Sequence, residues 1–161
     1  LVSKAFSKRD APKLTVYTQQ TARLSSDWSG NVELIHETFG GRGEVYSQGD
    51  IFLFPSYWEG LCHGIYEAQA CGGLVITTDH PPMNECGTDL LLPVSHLEQE
   101  ELSGKKIVKS VVHPEDLYLL CKELQGTKIS SLSRKARDRI ERSFNLSETL
   151  FLLYKHILSC V

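Results

Sequence analysis

Four short apolar runs in the first half of the chain strongly limit its fold. They lie at Leu14–Thr18, Val32–His36, Ile51–Pro55 and Leu74–Thr78. Each has the length and the β-branched or aromatic content of a buried strand, and helical or turn-rich segments separate them. Because parallel strands need crossover connections of this kind, the pattern predicts an α/β fold, in which helices cover both faces of a parallel sheet.

The segments between and after these runs carry helix and loop signals. Helices are predicted at Cys62–Cys71, Pro114–Gln125, Ser130–Phe144 and Ser147–Cys160, with one or two helical turns at Glu44–Gln48. A polar loop is expected at Thr21–Gly30, a turn at Gly40–Gly43, and a surface excursion or irregular insertion at His96–Lys109. The C-terminal third is therefore predicted to be mainly helical.

The first residues resemble the end of an amphipathic helix, with apolar side chains at Leu1, Val2, Ala5 and Phe6. A helix that leads into a parallel strand normally follows a strand of its own. We therefore expect the chain to begin inside a strand–helix–strand unit. Residues 1–161 are predicted to form one domain that lacks its first strand.

Charge, apolar content and cysteine spacing exclude several classes of protein. The 17 basic and 20 acidic side chains give a net charge of -3, so no overall positive field would attract nucleic acid. No apolar run approaches the roughly 20 residues of a membrane span, and Leu1–Asp10 lacks the features of a signal peptide. Five cysteines without a C-x2-C pair indicate reduced thiols, which predicts a cytoplasmic location.

The segment Asp50–Glu85 contains the best candidates for a binding site, because ligands of open α/β sheets bind beyond the carboxyl ends of the strands. Glu59 precedes the predicted helix and Glu67 lies within it, beyond Gly64. An ionised carboxylate accepts hydrogen bonds from the paired hydroxyls of a ribose or hexose, so either glutamate could bind a sugar. The alternative that Glu67 simply points to solvent stays open. The first amides of the helix lack partners and favour a phosphate. One helix could thus hold both ends of a nucleotide sugar.

The residues of this segment also resemble a known signature. They are Pro55–Ser56, Glu59–Gly60, Glu67–Ala68, Cys71–Gly72, Val75–Ile76, Thr78 and Glu85. This order is similar to P-S-x-x-E-G…E-A-x-x-C-G-x-x-V-I-x-T…E of the E-x7-E retaining glycosyltransferases, known as glycosyltransferase family 4. The resemblance implies the Rossmann-like, donor-binding C-terminal half of a GT-B fold.

The same resemblance implies roles for individual residues. Glu59 would contact hydroxyls of the transferred sugar, and Glu67 would hold the ribose of the nucleotide. The sugar and diphosphate pocket would be lined by Gly60, Leu61, Cys62 and His63. Glu85 would cap the following helix or act as an acid on the donor side. Cys62 departs from the glycine of many family members, and its side chain would narrow the pocket.

The activity implied is transfer of a hexose from a nucleotide-diphosphate sugar to a glycan, lipid or protein-linked acceptor. Neither a metal ion nor a cofactor is expected, and no catalytic residue is assigned. The family's diphosphate-neutralising Arg and Lys, and its acceptor-binding N-terminal domain, would precede Leu1. Residues 1–161 alone are therefore expected to bind the donor without turnover.

Three points stay open at the level of sequence. A non-catalytic scaffold of the same fold, self-associating through an open sheet edge, is one alternative. A nucleotide-sugar epimerase is another. Gly41-x-Gly43 gives a weak phosphate-loop signal, for which a simple turn is the favoured interpretation. The nucleotide base, the sugar and the acceptor are not determined.

Overall fold

The computed structural model describes residues 1–18, 31–36 and 39–159. The predicted polar loop Thr21–Gly30 lies outside these residues. Six helices, seven strands and one 3₁₀ helix are found in the described ranges: α1 Val2–Ala5, β1 Leu14–Thr18, β2 Val32–His36, α2 Arg42–Tyr46, β3 Ile51–Phe54, α3 His63–Ala70, β4 Leu74–Thr78, the 3₁₀ helix Met83–Cys86, β5 Leu90–Leu92, β6 Val94–Leu102, β7 Lys105–Val112, α4 Pro114–Leu124, α5 Ser130–Ser143 and α6 Leu146–Ser159. The four predicted strands and the predicted helices are confirmed, with small differences at their ends.

The central strands pair in parallel, as predicted. β1 pairs with β2, with Leu14 opposite Val32. β3, β4 and β5 form a second parallel group, in which β4 is the middle strand. With helices beside these strands, the domain is a mixed α/β fold of the Rossmann-like type, and the predicted fold class is confirmed.

Two apolar cores lie on the two faces of the central group. Along β3, Ile51 and Leu53 pack against one core and Phe52 and Phe54 against the other, because successive side chains of a strand point to opposite faces. The first core, called here the α4-side core, contains buried residues of α1 and α4. The second, the α3-side core, contains those of α3. All five residues of β4 are buried, as expected for a strand covered on both faces.

The prediction of a surface excursion at His96–Lys109 is confirmed, because this region is largely exposed, but the alternative of an irregular insertion is wrong, because it forms the antiparallel hairpin β6–β7. Ser103 and Gly104 turn the chain with positive φ values of 52° and 77°, as a two-residue hairpin turn requires. Acidic residues of β6 face basic residues of β7 across the hairpin, as Glu98 faces Lys109. Because charged side chains lie on both faces of the hairpin, its sequence lacks the alternation of apolar and polar residues by which strands are usually predicted.

The C-terminal helices agree with the predicted pattern. In α5, Ile140 is buried and Phe144, which follows the helix, lies 4.5 Å from Tyr66 between ring centres. Three basic side chains of α5 form ion pairs, Lys135 and Arg139 with Asp89 and Arg137 with Glu141. The apolar side chains of α6 from Leu150 to Leu158 are largely exposed. None of the helices in the described ranges is both long enough and apolar enough to cross a bilayer.

Candidate functional site

The loop between β3 and α3, residues 55–62, is called here the anchor loop, because two hydroxyls of β4 hold it in place. Thr77 donates a hydrogen bond to the carbonyl oxygen of Phe54 at 2.8 Å, and Thr78 donates one to that of Ser56 at 2.7 Å. Both threonines are fully buried. Hydrogen bonds of buried groups are costly to lose, since the abandoned carbonyl would have no water to replace the hydroxyl. The start of the loop is therefore fixed to the sheet.

The hairpin holds the same loop from another side. The amide of Ser110 in β7 donates to the carbonyl oxygen of Tyr57 at 3.0 Å. The ammonium of Lys109 lies 5.3 Å from the centre of the Tyr57 ring, a favourable arrangement of a cation and an aromatic face. Trp58 and Leu61 remain largely exposed beside it, at 53% and 72%. The loop thus presents apolar surface to solvent on a backbone that is held rigidly.

Glu59 lies in the anchor loop with one carboxylate oxygen already bonded. The hydroxyl of Ser56 donates to its Oε1 at 2.6 Å. The side chain is half-buried, and its Oε2 has no hydrogen-bond partner within residues 1–18, 31–36 and 39–159. A hydrogen bond from a hydroxyl to a charged carboxylate is shorter and stronger than one between neutral groups. The bond from Ser56 therefore limits the Glu59 side chain to few orientations. Glu59 is therefore positioned with one oxygen available to a ligand hydroxyl.

The N-terminal end of α3 presents unpaired backbone amides. The carbonyl oxygen of Cys62 accepts the first bonds of the helix, from Ile65 at 3.0 Å and Tyr66 at 3.3 Å. Within the described part of the chain, the amides of Leu61, Cys62 and His63 donate to no acceptor, and no side chain caps the helix. Such an end carries a partial positive charge and suits an anion or a sugar oxygen. Leu61 and His63 are exposed there.

Cys62 adopts a left-handed conformation, with φ of 51° and ψ of 31°, although it is not glycine. Its side chain is buried in the α3-side core. Burial, a hydrogen bond with Cys86 and the negative charges of Glu59 and Glu85 together raise the pKa of the thiol to about 12, with burial as the largest cause. The thiol is therefore neutral at physiological pH, and the carboxylates of Glu59 and Glu85 both lie close enough to act on it.

Glu67 lies in the second turn of α3, on the side of α2. The hydroxyl of Tyr46 donates to its Oε2 at 3.2 Å, and the carboxylate is half-buried. Before Glu67 in the same helix, Gly64 allows α3 to lie close to β3 because it has no side chain. A Cβ at Gly64 would lie 2.8 Å from a ring carbon of Phe54 and 3.5 Å from the Tyr46 hydroxyl. Glycine at this position thus leaves room for the Phe54 ring beneath α3.

The remaining predicted residues have defined positions, but their roles stay predictions. Gly60 is exposed, and a Cβ there would meet no atom within 4 Å. Glu85 lies inside the 3₁₀ helix, whose preceding residue is Pro82, and no side-chain hydrogen bond caps this helix. No three His, Cys, Asp or Glu side chains are grouped like metal ligands in the described ranges.

Gly41-x-Gly43 leads the chain into α2, in agreement with a turn and not a phosphate loop. Gly41 immediately precedes α2, and Gly43 lies inside that short helix. The carboxylate of Glu44 accepts a hydrogen bond from the amide of Gly40 at 2.9 Å, which closes the turn. The glycines therefore serve the entry into α2.

Two supporting residues were missed by the sequence reasoning. Tyr46 precedes Glu67 by 21 positions, and no local pattern connects them. Ser56 is part of the E-x7-E signature, and its spacing of three residues from Glu59 is the local signal for the hydrogen bond.

Comparison with known proteins places a family match on this region. Residues 25–90 match the family model described as Glycosyl transferases group 1. A search of curated proteins found no significant match. The matched segment contains the anchor loop, α3 and Glu85. The chain is therefore similar to the group 1 glycosyl transferases over the segment that contains the candidate site. This match supports the assignment of the segment to the glycosyltransferase superfamily.

Proposed function

We propose that residues 1–161 form the donor-binding part of a retaining glycosyltransferase with a GT-B fold. The enzyme would transfer a hexose from a nucleotide-diphosphate sugar to a glycan, lipid or protein-linked acceptor. The strongest support comes from the N-terminal end of α3, where the backbone amides of residues 61–63 are unpaired. In the sequence these amides lie between Glu59, which Ser56 orients, and Glu67, which Tyr46 orients. The family match over residues 25–90 supports the same conclusion. A cytoplasmic location stays a prediction.

In this proposal, Glu67 holds the nucleotide through the ribose. Tyr46 occupies one carboxylate oxygen, so the carboxylate is already oriented before the ligand arrives. A pair of ribose hydroxyls would then donate to the carboxylate without a large loss of side-chain freedom. Hydrogen bonds to a charged group contribute about 1.5–3 kcal/mol. Glu67 is therefore expected to determine most of the nucleoside affinity.

Glu59 and the amides of Leu61, Cys62 and His63 would hold the sugar and the diphosphate. Glu59 offers its Oε2 to a sugar hydroxyl, because Ser56 occupies the other oxygen. The amides would meet the phosphate oxygens. Glu59 and Glu85, however, bring negative charge to this end of the helix, as their effect on Cys62 shows. Their charge opposes a diphosphate, so tight binding needs cations in addition to the helix end.

This balance of charge is the reason to expect binding without turnover. Stabilisation of a departing diphosphate by cations can contribute several kcal/mol, and each 1.4 kcal/mol changes the rate about tenfold. By resemblance, those cations would lie in sequence that precedes Leu1. The chain alone should therefore bind a nucleotide weakly and transfer no sugar. No enzymic nucleophile is part of the proposal.

Calorimetry with UDP, GDP and ADP at millimolar concentration tests the donor site. One of the three nucleotides should bind, and Glu67→Gln should weaken it roughly tenfold to a hundredfold, on the scale of a lost hydrogen bond to a charged group. Glu123→Gln is the matched control, since Glu123 is exposed in α4 on a different element. Absence of binding by all three nucleotides, or equal effects of the two substitutions, would count against the donor site.

A scaffold function is the second candidate, and one observation favours it. Within the described residues, β1 and β3 each have a hydrogen-bonded strand on one side only. An open edge of this kind can pair with another chain. Light scattering distinguishes the candidates, because self-association through such an edge would give a dimer in the absence of nucleotide.

A further inference from the structure

Two buried cysteines from separate segments meet beside α3. Cys62 ends the anchor loop, and Cys86 ends the 3₁₀ helix between β4 and β5. Both side chains belong to the α3-side core, where the two residues are only 3% and 2% exposed. A hydrogen bond joins their thiols. The two sulfur atoms are therefore in contact, although they come from different loops.

Cys86 is held in this position by several hydrogen bonds. The side-chain amide of Gln69 in α3 donates to the carbonyl oxygen of Cys86 at 2.9 Å, and Tyr66 of the same helix shares a hydrogen bond with the Cys86 thiol. That thiol also lies 3.5 Å from the carbonyl oxygen of Pro82. Cys86 is thus fixed against the helix that follows Cys62.

The backbone of Cys62 is unusual for a residue with a side chain. Its φ of 51° lies in the left-handed region, which glycine adopts freely and other residues adopt at a cost. The thiol placed there at this cost points to a second thiol. Many side chains can fill space in an apolar core, whereas a covalent bond between the two segments needs two cysteines. The pair therefore has a chemistry that packing alone does not require.

We propose that Cys62 and Cys86 form a redox pair, which a small-molecule disulfide converts into a protein disulfide between the anchor loop and the segment after β4. One protein sulfur attacks the small disulfide, which gives a mixed disulfide and releases one small thiol. The second protein sulfur then attacks the first and releases the other small thiol. Two protein S–H bonds and the S–S bond of the oxidant break, while one protein S–S bond and two S–H bonds form. The protein thiols are oxidised, the small disulfide is reduced, and both protons end on the released thiols.

Burial makes the first step slow, and contact makes the second step fast. The Cys62 thiol, with its pKa raised to about 12, is almost entirely protonated, and a protonated thiol is a poor nucleophile. The first attack therefore needs a local opening near Leu61 and His63, which are exposed on either side of Cys62. Once one sulfur has reacted, its neighbour is already beside it. We expect the pair to respond to a sustained oxidising environment and not to a brief one.

The disulfide would alter the start of α3. An S–S bond is about 2.05 Å long, so the two sulfur atoms must come closer together than in a hydrogen bond between thiols. Cys62 would move towards Cys86, and the adjoining amides of Leu61 and His63 would move with it. We therefore expect oxidation to change nucleotide affinity as well, and this consequence rests on the proposed donor site.

Peptide mapping of the oxidised chain tests the inference. The folded chain is incubated with oxidised glutathione at mildly alkaline pH, and the remaining thiols are alkylated in denaturant. The main protein disulfide should join Cys62 to Cys86, and dithiothreitol should restore both thiols. The same reaction in concentrated urea is the comparison. There, pairs that are closer in sequence, such as Cys71 with Cys86, should predominate because a shorter loop costs less entropy to close.

Two substitutions provide the controls. Cys62→Gly suits the positive φ at this position, so the variant should fold, and the link to Cys86 should be lost completely. Cys71→Ala removes an exposed cysteine and should leave the link unchanged.

Three results would overturn the proposal. The first is the absence of a link between Cys62 and Cys86 after prolonged oxidation of the folded chain. The second is the same set of linked peptides in the folded chain and in urea, because the link would then not depend on the fold. The third is a link that forms only between two chains, with a yield that rises with protein concentration. None of these results depends on nucleotide binding, so the donor-site proposal stands or fails separately.

Discussion

Gly64→Ala should destabilise the domain, because the added methyl group has no room between α3 and β3. Its carbon would lie 2.8 Å and 3.2 Å from two ring carbons of Phe54, against an optimum of about 3.5–4.0 Å. Overpacking of this kind costs about 1–3 kcal/mol. Alanine regains less than the roughly 0.8–1.0 kcal/mol that it contributes over glycine in a helix interior, because Gly64 lies in the first turn of α3. The net loss in the free energy of unfolding should therefore be about 0.5–2 kcal/mol.

Urea denaturation followed by circular dichroism measures this loss, and a double-mutant cycle identifies its cause. In a Phe54→Leu background the two ring carbons are absent, so Gly64→Ala should become neutral or stabilising. Gly60→Ala is the control, since a Cβ there meets no atom within 4 Å. It should change the free energy of unfolding by less than about 1 kcal/mol, as is usual where alanine adopts the native backbone without strain.

The reasoning would be refuted if Gly64→Ala stabilised the original domain, or if the loss persisted unchanged in the Phe54→Leu background. Either result would mean that the close approach of α3 to β3 does not depend on Gly64.

Three other predictions concern a pH dependence, the cysteines and the anchor loop. The hydrogen bond from the Tyr118 hydroxyl, and Lys122 to a smaller extent, lower the pKa of Asp10 in the folded protein. The ionised Asp10 therefore stabilises the fold at pH values above 3.8, its pKa in the unfolded chain, and this stabilisation is lost as the pH falls and the carboxylate is protonated. Urea titrations should show Tyr118→Phe less stable than the original at pH 6, with the difference narrowing towards pH 2; a constant difference would contradict this. Burial raises the pKa of the Cys121 thiol to about 11, whereas Cys71 is exposed. At pH 8, Cys71 should therefore react with iodoacetamide at least about tenfold faster than Cys121, as measured by peptide mass mapping. Equal rates for the two thiols would be inconsistent with the burial of Cys121. Thr78→Val removes the buried hydroxyl that holds the anchor loop and should cost about 1 kcal/mol in urea denaturation, while an unchanged midpoint would show that the bond is dispensable.

The positions of the central strands and of α3 followed from local sequence. Apolar runs of four or five residues form the paired strands β1 to β4, and Gly72 provides the positive φ of 83° that ends α3. The segment that carries the candidate site followed from the same rule, because a loop after a parallel strand lies at the carboxyl edge of the sheet. These features depend on neighbours in the chain, so the sequence by itself determined them.

Contacts between distant segments were decided by the tertiary structure. The hydrogen bond from Tyr46 to Glu67, the left-handed backbone of buried Cys62 and the charged hairpin β6–β7 all depend on which elements come together. A cavity of about 870 Å³ between β1 and β3 is of the same kind, because it is a property of two strands that do not adjoin in sequence. Local sequence patterns predict which residues are buried and where the chain turns. Hydrogen bonds between distant residues depend instead on how the helices pack against the strands.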